Sequence, residues 1–454
     1  MIFNDSDTIV APATPTGGAL CIIRISGEDA ITLCDKVFRG RKPLAEATTA
    51  TLLYGNIVDG EEVVDDVVVS VFRAPHSYTG ENSVEISTHG SRYIVERVLS
   101  LLTSHGARLA EAGEFTRRAF LAGKIDLSQA EAVADIIASD SHASHAIAST
   151  QMRGAYSADL AALRDKLLNI TSLLELELDF SEEDVEFADR TQLGELLKFT
   201  LNRVDSLARS FALGNVLKEG VNVAIAGRPN VGKSTLLNRL AGEERAMVSE
   251  IAGTTRDTVE ATANIGGVIY RFIDTAGLHS TDDRLEQMGI ERTAQALGKA
   301  RIILWLSDNE NSAIEDDLFG FTPSSEQKIY RIITKIDLHD AAILEGAECP
   351  YPTIRISAKT GEGVDKLLAT LQSAADASSA YRGDVIVSNR RHYEALCQAN
   401  KALEAALTAM NNGIPTDLLS EDIRLAIHHL GTITGEITSD DILKNIFSQF
   451  CIGK

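Results

Sequence analysis

The chain has 454 residues, 44% hydrophobic and 24% charged, which describes an ordinary globular protein of about three domains. Its formal net charge of −22 argues against a protein that wraps nucleic acid through a broad basic surface. Five scattered cysteines, no apolar run of membrane-spanning length and no amino-terminal targeting pattern together predict a cytoplasmic protein with reduced thiols and no structural zinc.

Residues 1–118 predict an α+β domain. Strands are expected at Ala19–Ile25, Val63–Phe72 and Ser83–Thr88, where apolar residues form short runs or alternate with polar ones. Arg92–Ser104 predicts a helix, because its apolar residues recur three and four positions apart.

Residues 119–216 and 379–454 predict two segments of an all-helical domain. The expected helices are one capped by Ser128, Ala143–Phe180, Thr191–Leu213, Arg390–Met410, Leu419–Leu430 and one begun by Ser439. The acidic residues 181–189 between two of them are interpreted as a solvated connection.

Residues 217–378 repeat a strand–turn–helix pattern that is typical of a mostly parallel sheet. Gly266 and Gly267 separate two strand-like runs and predict one antiparallel hairpin in it. The expected strands are Val221–Ala226, Val268–Ile273, Ile302–Ser307, Tyr330–Thr334 and Thr353–Ile356. This α/β domain would be inserted into a loop of the helical domain, and three domains in series is the alternative.

A phosphate-binding loop follows the first of these strands. The residues are GRPNVGKS, which match G-x-x-x-x-G-K-[ST] between a strand and a helix. In such a loop the backbone N–H groups surround the phosphates, Lys233 reaches the β and γ oxygens, and the Ser234 hydroxyl binds Mg²⁺.

Later motifs occur in the order found in GTPases. GTTRD places Thr254 and Thr255 where a hydroxyl could reach magnesium, and DTAG ends a strand at Asp274, with Gly277 expected to face the γ-phosphate. TKID supplies Asp337, whose carboxylate can accept two hydrogen bonds from guanine but not from adenine. The segment Ser357–Lys359 would support the base through main-chain donors.

Two positions depart from the Ras-like pattern. Leu278 follows DTAG where a water-orienting glutamine is usual, and so Glu286 is the candidate acid, with Asp282 and Asp283 closer in sequence. All three could instead be surface carboxylates. Thr334 stands where asparagine is usual, and weaker guanine contacts are expected.

The whole chain resembles the TrmE-type (MnmE) family of tRNA-modification GTPases. The resemblance is carried by five segments and by the GTPase motifs. These segments are TIVAPATPTGGALCIIRISG, SYTGENSVEISTHG, GEFTRRAFLAGKIDLSQAEAVADII, IAGTTRD and the terminal FCIGK.

The resemblance implies an amino-terminal folate-binding domain that forms a homodimer, a helical domain in two segments and an inserted Ras-like P-loop G domain. It also implies an FAD-dependent partner, MnmG. Together the two proteins would add an aminomethyl or carboxymethylaminomethyl group at carbon 5 of the tRNA wobble uridine. The one-carbon unit would come from 5-formyltetrahydrofolate or a related tetrahydrofolate. An RNA- or ribosome-assembly GTPase switch without one-carbon chemistry is the alternative.

Site residues are assigned from the resemblance where the motifs match. Lys233 and Glu286 are the catalytic residues, Mg²⁺ falls to Ser234 and Thr255, and K⁺ falls to Asn230, Ser249, Ile251 and Thr254. Potassium would take the place of an arginine finger. The predicted nucleotide-binding residues are Asn230, Val231, Gly232, Lys233, Ser234, Thr235, Ser249, Glu250, Ile251, Ala252, Gly253, Thr254, Thr255, Asp274, Thr275, Ala276, Gly277, Thr334, Lys335, Ile336, Asp337, Ser357, Ala358 and Lys359.

The resemblance assigns folate to Arg24, Glu85, Lys124 and Lys454. Arg24 interrupts an apolar strand and needs a partner, which could be a ligand carboxylate or an internal acid. Cys451 is expected to be a small buried residue. Two basic clusters, Arg117-Arg118 and Arg390-Arg391-His392, could contact tRNA or lie on a solvated helix face.

Overall fold

The structure is a computed structural model of the full chain. It describes residues 7–179, 190–228, 230–243, 261–274, 295–308, 321–325, 327–338, 349–374 and 385–453. The chain divides into two compact units. Unit 1 comprises residues 1–134, 151–188 and 415–454, and unit 2 comprises residues 135–150 and 189–414.

The secondary structure follows the α/β and helical segments expected from the sequence. The strands are β1 Ile9–Pro12, β2 Leu20–Ser26, β3 Phe38–Gly40, β4 Thr51–Asp59, β5 Glu62–Phe72, β6 Ser83–His89, β7 Arg108–Leu109, β8 Val221–Ala226, β9 Ala261–Ile265, β10 Val268–Asp274, β11 Ile302–Ser307, β12 Lys328–Ile333 and β13 Thr353–Arg355. The helices are α1 Ala30–Val37, α2 Arg92–Ser104, α3 Glu114–Leu121, α4 Leu127–Ile137, α5 His142–Met152, α6 Ala155–Asp179, α7 Arg190–Glu219, α8 Lys233–Glu243, α9 Val364–Ala374, α10 Arg390–Asn411, α11 Thr416–Thr434 and α12 Asp440–Ser448.

Unit 1 contains a seven-stranded sheet in the order β3-β4-β5-β6-β2-β1-β7. All of its neighbouring strands are antiparallel except β1 and β7. Side chains alternate between the two faces of each strand, and in β2 the residues Cys21, Ile23 and Ile25 are buried while Arg24 is half-buried. The buried face packs with α1 and α2 in one apolar core.

Unit 2 contains a six-stranded sheet in the order β13-β12-β11-β8-β10-β9. Five strands are parallel, and β9 joins β10 in an antiparallel hairpin. Gly266 and Gly267 form its turn with φ angles of 62° and 83°, a pair that favours glycine. The predicted hairpin and the mostly parallel sheet are therefore confirmed.

Helices from before and after the α/β segment pack against each other. In unit 1, α6 packs with α11, and in unit 2, α7 packs with α10. The fold class predicted from the sequence, a multidomain α/β protein with helical segments on both sides of a P-loop domain, is confirmed. The boundaries of the four predicted segments stay a prediction.

Several local expectations were wrong. Ser128 does not cap α4: it lies inside the helix, and Asp126 accepts hydrogen bonds from the Gln129 N–H and the Ser128 hydroxyl, 2.9 and 2.8 Å long. The single long helix expected from residue 143 to 180 is broken between α5 and α6, where Gly154 has a φ of 80°. Strands β1, β3, β4 and β7 were not predicted.

The residues of the two predicted basic clusters are mostly buried or paired with carboxylates. Arg117 and Arg118 on α3 are 6% and 3% exposed, because both guanidinium groups contact the buried carboxylate of Glu114. Arg390 is exposed and pairs with Glu394, whereas His392 is buried. Within the described ranges, no helix is long and apolar enough to cross a membrane.

Candidate functional site

Three described residues of the loop between β8 and α8 have positive φ angles. Gly227 and Gly232 have φ angles of 143° and 102°, which glycine adopts without strain. A Cβ on Gly227 would lie 2.2 Å from the carbonyl oxygen of Leu306 in β11, and so this position accommodates no side chain. Asn230 adopts a φ of 64° and is exposed.

Lys233, the first residue of α8, folds its side chain back over this loop. It is 5% exposed, and its ammonium donates hydrogen bonds to the carbonyl oxygens of Gly227 and, at 3.0 Å, Arg228. Ser234 and Thr235 are exposed in the first turn of the helix, where unpaired N–H groups and the helix dipole favour an anion. The arrangement therefore places one cation, two hydroxyls and a helix amino terminus around a single loop.

The segment after β12 is tied to the same loop. Thr334 is 1% exposed, and its hydroxyl donates a 2.6 Å hydrogen bond to the carbonyl oxygen of Val231. Its own N–H donates to the carbonyl oxygen of Ser307, at the end of β11, over 2.9 Å. Thr334 thus connects three loops through main-chain acceptors.

The other residues of the TKID and SAK motifs lie next to each other. Asp337 is exposed, and one of its carboxylate oxygens accepts a 2.6 Å hydrogen bond from the buried Ser357 hydroxyl. The N–H of Ile336 donates to the carbonyl oxygen of Ile356 over 3.4 Å. Lys335 has a φ of 59° and pairs with Asp308 at 3.1 Å. Ala358 and Lys359 continue from Ser357, and Lys359 is exposed.

These loops all follow the carboxyl ends of parallel strands β8, β11, β12 and β13, where open α/β sheets bind ligands. Several predicted residues lie outside the described part of the chain. They are Ser249, Glu250, Ile251, Ala252, Gly253, Thr254, Thr255, Thr275, Ala276, Gly277, Leu278, Asp282, Asp283 and Glu286. Asp274 ends β10, and only its backbone is described.

A second candidate site lies in unit 1. Arg24 on β2 and Glu85 on β6 are directly opposite each other in the sheet register. The Nε and Nη2 atoms of Arg24 both lie 2.9 Å from Oε1 of Glu85. The internal-acid alternative for the partner of Arg24 is therefore the one observed. Oε2 of Glu85 accepts no hydrogen bond from the described residues.

Two aromatic rings flank the Arg24 guanidinium, and no pattern in the sequence indicated them. Its carbon lies 5.4 Å from the ring centre of Tyr78 and 5.7 Å from that of Phe115. Burial raises the pKa of Tyr78, although its hydrogen bond with Thr116 and the nearby Arg24 charge act the other way.

The carboxyl-terminal tail reaches the same arginine. The Gly453 carbonyl oxygen accepts a 3.4 Å hydrogen bond from Nη1 of Arg24, across 429 positions of sequence. Ile452 forms an antiparallel bridge with Ala112. Gly453 has a φ of 95°, and a Cβ there would lie 2.0 Å from the Pro12 carbonyl oxygen. Lys454 itself lies outside the described residues.

The remaining predictions at this end of the chain have mixed outcomes. Lys124 is exposed and donates a 3.0 Å hydrogen bond to the Pro75 carbonyl oxygen. It forms no hydrogen bond or ion pair with the described residues Arg24 and Glu85. Cys451 is exposed, and so the expectation of a buried residue was wrong, because the tail lies along the surface of unit 1.

A buried charge network adjoins this site. Glu114 is 0% exposed and lies 2.6 Å from Arg108 and 3.1 Å from Arg118, and Arg118 also pairs with Asp7 and Glu81. Burial alone would raise the pKa of Glu114, but the Arg108 hydrogen bond and its neighbours outweigh it and lower that pKa. Glu81 also accepts a 2.7 Å hydrogen bond from Ser26, two residues after Arg24.

Comparisons with known proteins identify the family of this chain. A family profile described as "GTP-binding protein TrmE N-terminus" matches residues 8–124, and one described as "MnmE helical domain" matches residues 127–451. The chain is 49% identical to the tRNA modification GTPase MnmE of Bacteroides fragilis, over 99% of this chain and 100% of that protein. It is 48% identical to the protein of the same name from Cytophaga hutchinsonii, over 100% of this chain and 99% of that one.

Among solved structures, the chain is similar to a variant of Era from Aquifex aeolicus. The identity is 29% and the TM-score 0.27, and the match covers 40% of this chain and 65% of that chain. The family assignment rests on the full-length relatives and on the two profiles, which together match residues from both units. The chain belongs to the MnmE (TrmE) family of tRNA modification GTPases.

Proposed function

We propose that this chain is a potassium-dependent GTP hydrolase that works with an FAD-dependent partner, MnmG, on tRNA. The product would be a wobble uridine with an aminomethyl or carboxymethylaminomethyl group at carbon 5. The one-carbon unit would come from a tetrahydrofolate bound in unit 1. The relatives in Bacteroides fragilis and Cytophaga hutchinsonii carry the name tRNA modification GTPase, which supports tRNA as the substrate.

The phosphate loop supports GTP with magnesium. Lys233 would neutralise phosphate charge from a position that its two carbonyl contacts fix, and the exposed Ser234 hydroxyl would hold Mg²⁺ together with Thr255. Asn230 is exposed with its backbone in the left-handed region, which suits a residue that directs a side-chain oxygen at potassium. Asn230 and the other predicted potassium ligands would hold an ion that supplies positive charge at the transition state, and Glu286 would orient the attacking water.

Guanine selection would fall to Asp337. Its carboxylate is exposed and one oxygen is oriented by the Ser357 hydroxyl, so that the group is held in place to accept from a base. The Ser357 N–H already donates to the Glu362 carbonyl oxygen over 2.9 Å. The N–H groups of Ala358 and Lys359 are therefore the better candidates for support of the base.

The Arg24–Glu85 pair supports folate binding. A reduced pterin presents adjacent N–H donors, and Oε2 of Glu85 accepts no hydrogen bond from the described residues and can take one of them. Arg24 lies beside the rings of Tyr78 and Phe115 and can bind a carboxylate or carbonyl group of the ligand. The tail that ends in Lys454 would add a further cation to this pair.

The open face of the unit 1 sheet supports a homodimer. Leu52 and Tyr54 on β4 are 68% and 69% exposed, and the register places Leu52 in the same cross-strand row as Glu85 and Arg24. Leu20 and Val68 lie on the same face and are 66% and 39% exposed. Contiguous exposed apolar groups on a sheet mark a contact surface, and a second copy of this chain would cover them.

One observation carries the folate part of this proposal: residues 24, 85 and 453 meet at one guanidinium. Its test is equilibrium dialysis of the full chain against 5-formyltetrahydrofolate. Glu85→Gln should lose about 10- to 100-fold in affinity, because a charge-assisted hydrogen bond is lost. Glu28→Gln, an exposed acid in the same unit, is the matched control. Equal affinities for all three proteins would remove Glu85 from the site, and no binding by the wild type would end the folate assignment.

The alternative is a GTPase switch in RNA or ribosome assembly, without one-carbon chemistry. A pure switch has no reason to bind folate, so the dialysis separates the two. Nucleoside analysis of tRNA from cells that lack the chain tests the product directly, and unchanged wobble uridines would contradict modification. GTP hydrolysis in potassium and in sodium tests the cation, since equal rates in the two salts would remove potassium from the mechanism.

A further inference from the structure

A compact group of basic side chains in unit 1 shares no residue with either candidate site. Lys36, Arg39, Arg41 and Lys42 fall within seven residues, and no other seven-residue window of the sequence holds four lysines and arginines. All four are exposed, at the end of α1, on β3 and in the turn that follows. We call these four residues the basic edge, because β3 is the outermost strand of the seven-stranded sheet.

The basic edge differs from the other arginine-rich parts of unit 1 in its lack of ion pairs. Arg97, Arg108 and Arg118 each pair with carboxylates in the same unit. None of the four basic-edge residues forms an ion pair with any described residue. In a chain with 43 basic and 65 acidic residues, a cluster of cations without ion pairs to described residues contrasts with the overall acidic balance.

The backbone that presents these side chains is held firmly. The Leu44 N–H donates a 2.6 Å hydrogen bond to Asp35, and Leu44 is fully buried in the core. Arg73 donates to the carbonyl oxygens of Ala45 and Ala47 over 2.5 and 2.8 Å. The turn is therefore fixed on its carboxyl-terminal side.

The amino-terminal side of the turn is fixed as well. The Phe38 ring is buried and covers two facing glycines, Gly40 and Gly55, where an added Cβ would lie 2.6 Å from ring atoms. The Nη1 atom of Arg39 donates to the carbonyl oxygens of Lys36 and Phe38. Binding at this edge would consequently cost little backbone entropy.

We propose that the basic edge is a contact surface for the phosphate backbone of tRNA. This inference rests on the proposed function, which supplies the polyanion. Four cations without acidic partners among the described residues, on a fixed edge, can meet successive phosphates, and such contacts position a nucleic acid without reading its sequence. The net charge of −22 argues against a broad basic surface, and a short local contact is compatible with it.

The test measures binding of the full chain to an unmodified, fluorescently labelled tRNA by anisotropy across a series of potassium chloride concentrations. The test variant replaces Lys36, Arg39, Arg41 and Lys42 by serine. Each phosphate contact contributes about 0.7 to 0.9 to the slope of log affinity against log salt. The variant should therefore bind at least about 10-fold more weakly at about 100 mM salt, with a slope smaller by about 3.

The matched control has the same change in net charge. It replaces four exposed basic residues that are scattered along the chain, Arg153, Lys198, Lys366 and Lys401, by serine. A charge-preserving variant with Arg39→Lys and Arg41→Lys should bind within about two-fold of wild type, because unspecific phosphate contacts accept either cation. Weak binding by the basic-edge variant alone supports the proposal.

Three outcomes overturn it: unchanged tRNA binding by the basic-edge variant, equal loss in the basic-edge and scattered variants, or no binding of tRNA by the wild-type chain at any salt concentration. GTP hydrolysis of the same preparations is measured alongside. If the basic-edge variant hydrolyses GTP normally and binds tRNA like wild type, only the basic-edge proposal is contradicted. If the wild-type chain does not hydrolyse GTP, the proposed function is contradicted. The melting temperature of each variant shows whether it has folded.

Discussion

The two candidate sites are built in opposite ways. The nucleotide site is assembled from short contiguous motifs that follow successive parallel strands, and its contacts run mostly to the backbone, as in Lys233 to Gly227 and Thr334 to Val231. The proposed folate site joins groups from distant parts of the chain: the side chains of Arg24 and Glu85 and the carbonyl group of Gly453. A local motif can be recognised from its residues alone, whereas a dispersed site has no sequence pattern of its own.

The largest effect is expected at the lysine of the contiguous site. Lys233→Ala removes the cation that the loop holds in place, and kcat/KM for GTP should fall at least about 100-fold. The affinity of this variant for folate should stay unchanged, because the two candidate sites share no residues. Lys366→Ala, an exposed lysine on α9, is the control for loss of charge. Residual activity near that of wild type would contradict the role of Lys233.

The stability of unit 1, which contains the dispersed site, should depend on the buried charge network around Glu114. Glu114→Gln leaves the buried Arg117 and Arg118 without their shared carboxylate and should destabilise unit 1 by about 3 kcal/mol. Glu111→Gln, whose side chain is 60% exposed, is the control and should cost little. Circular dichroism follows both units during unfolding, while the fluorescence of Trp305, the only tryptophan, reports unit 2.

The loss should also depend on pH. The folded-state pKa of Glu114 is lowered, so its contribution is present above the ordinary pKa of 4.5 and is lost as the pH falls through the folded value. The stabilities of wild type and Glu114→Gln should therefore converge as the pH falls below 4.5 and through the lowered folded-state pKa of Glu114. A constant difference down to the lowest pH at which the protein folds would show that the carboxylate charge is not the cause.

The smallest effect is expected where a side chain acts only through the backbone. Thr334→Val removes the hydroxyl that donates to Val231 and should weaken GDP and GTP binding about 10-fold, because a buried carbonyl oxygen loses its donor. Thr334→Ser retains the hydroxyl and should bind like wild type. Preference for guanosine over inosine nucleotides should stay the same in both, since Asp337 is untouched. A change in that preference would show that Thr334 contacts the base.

The sequence determined the type of most elements and the location of the phosphate loop. Arg92–Ser104 has the bounds predicted from its periodicity, and so do the strands Val221–Ala226 and Ile302–Ser307. These elements are local, because side-chain period and strand–turn–helix order are properties of neighbouring residues. The phosphate loop could be located for the same reason, since its glycines are required by the backbone of one short turn.

Only the tertiary structure decided what the charged residues of unit 1 do. Arg117 and Arg118 form a basic cluster in the sequence, yet the fold buries them around Glu114, and the acid that pairs with Arg24 is Glu85, 61 positions away. The four basic-edge cations, which have no ion pair with any described residue, were not singled out from the sequence. Which charged side chains form ion pairs depends on which strands are neighbours in the sheet and on where the carboxyl-terminal tail packs. These are long-range contacts, which composition and local sequence pattern do not reveal.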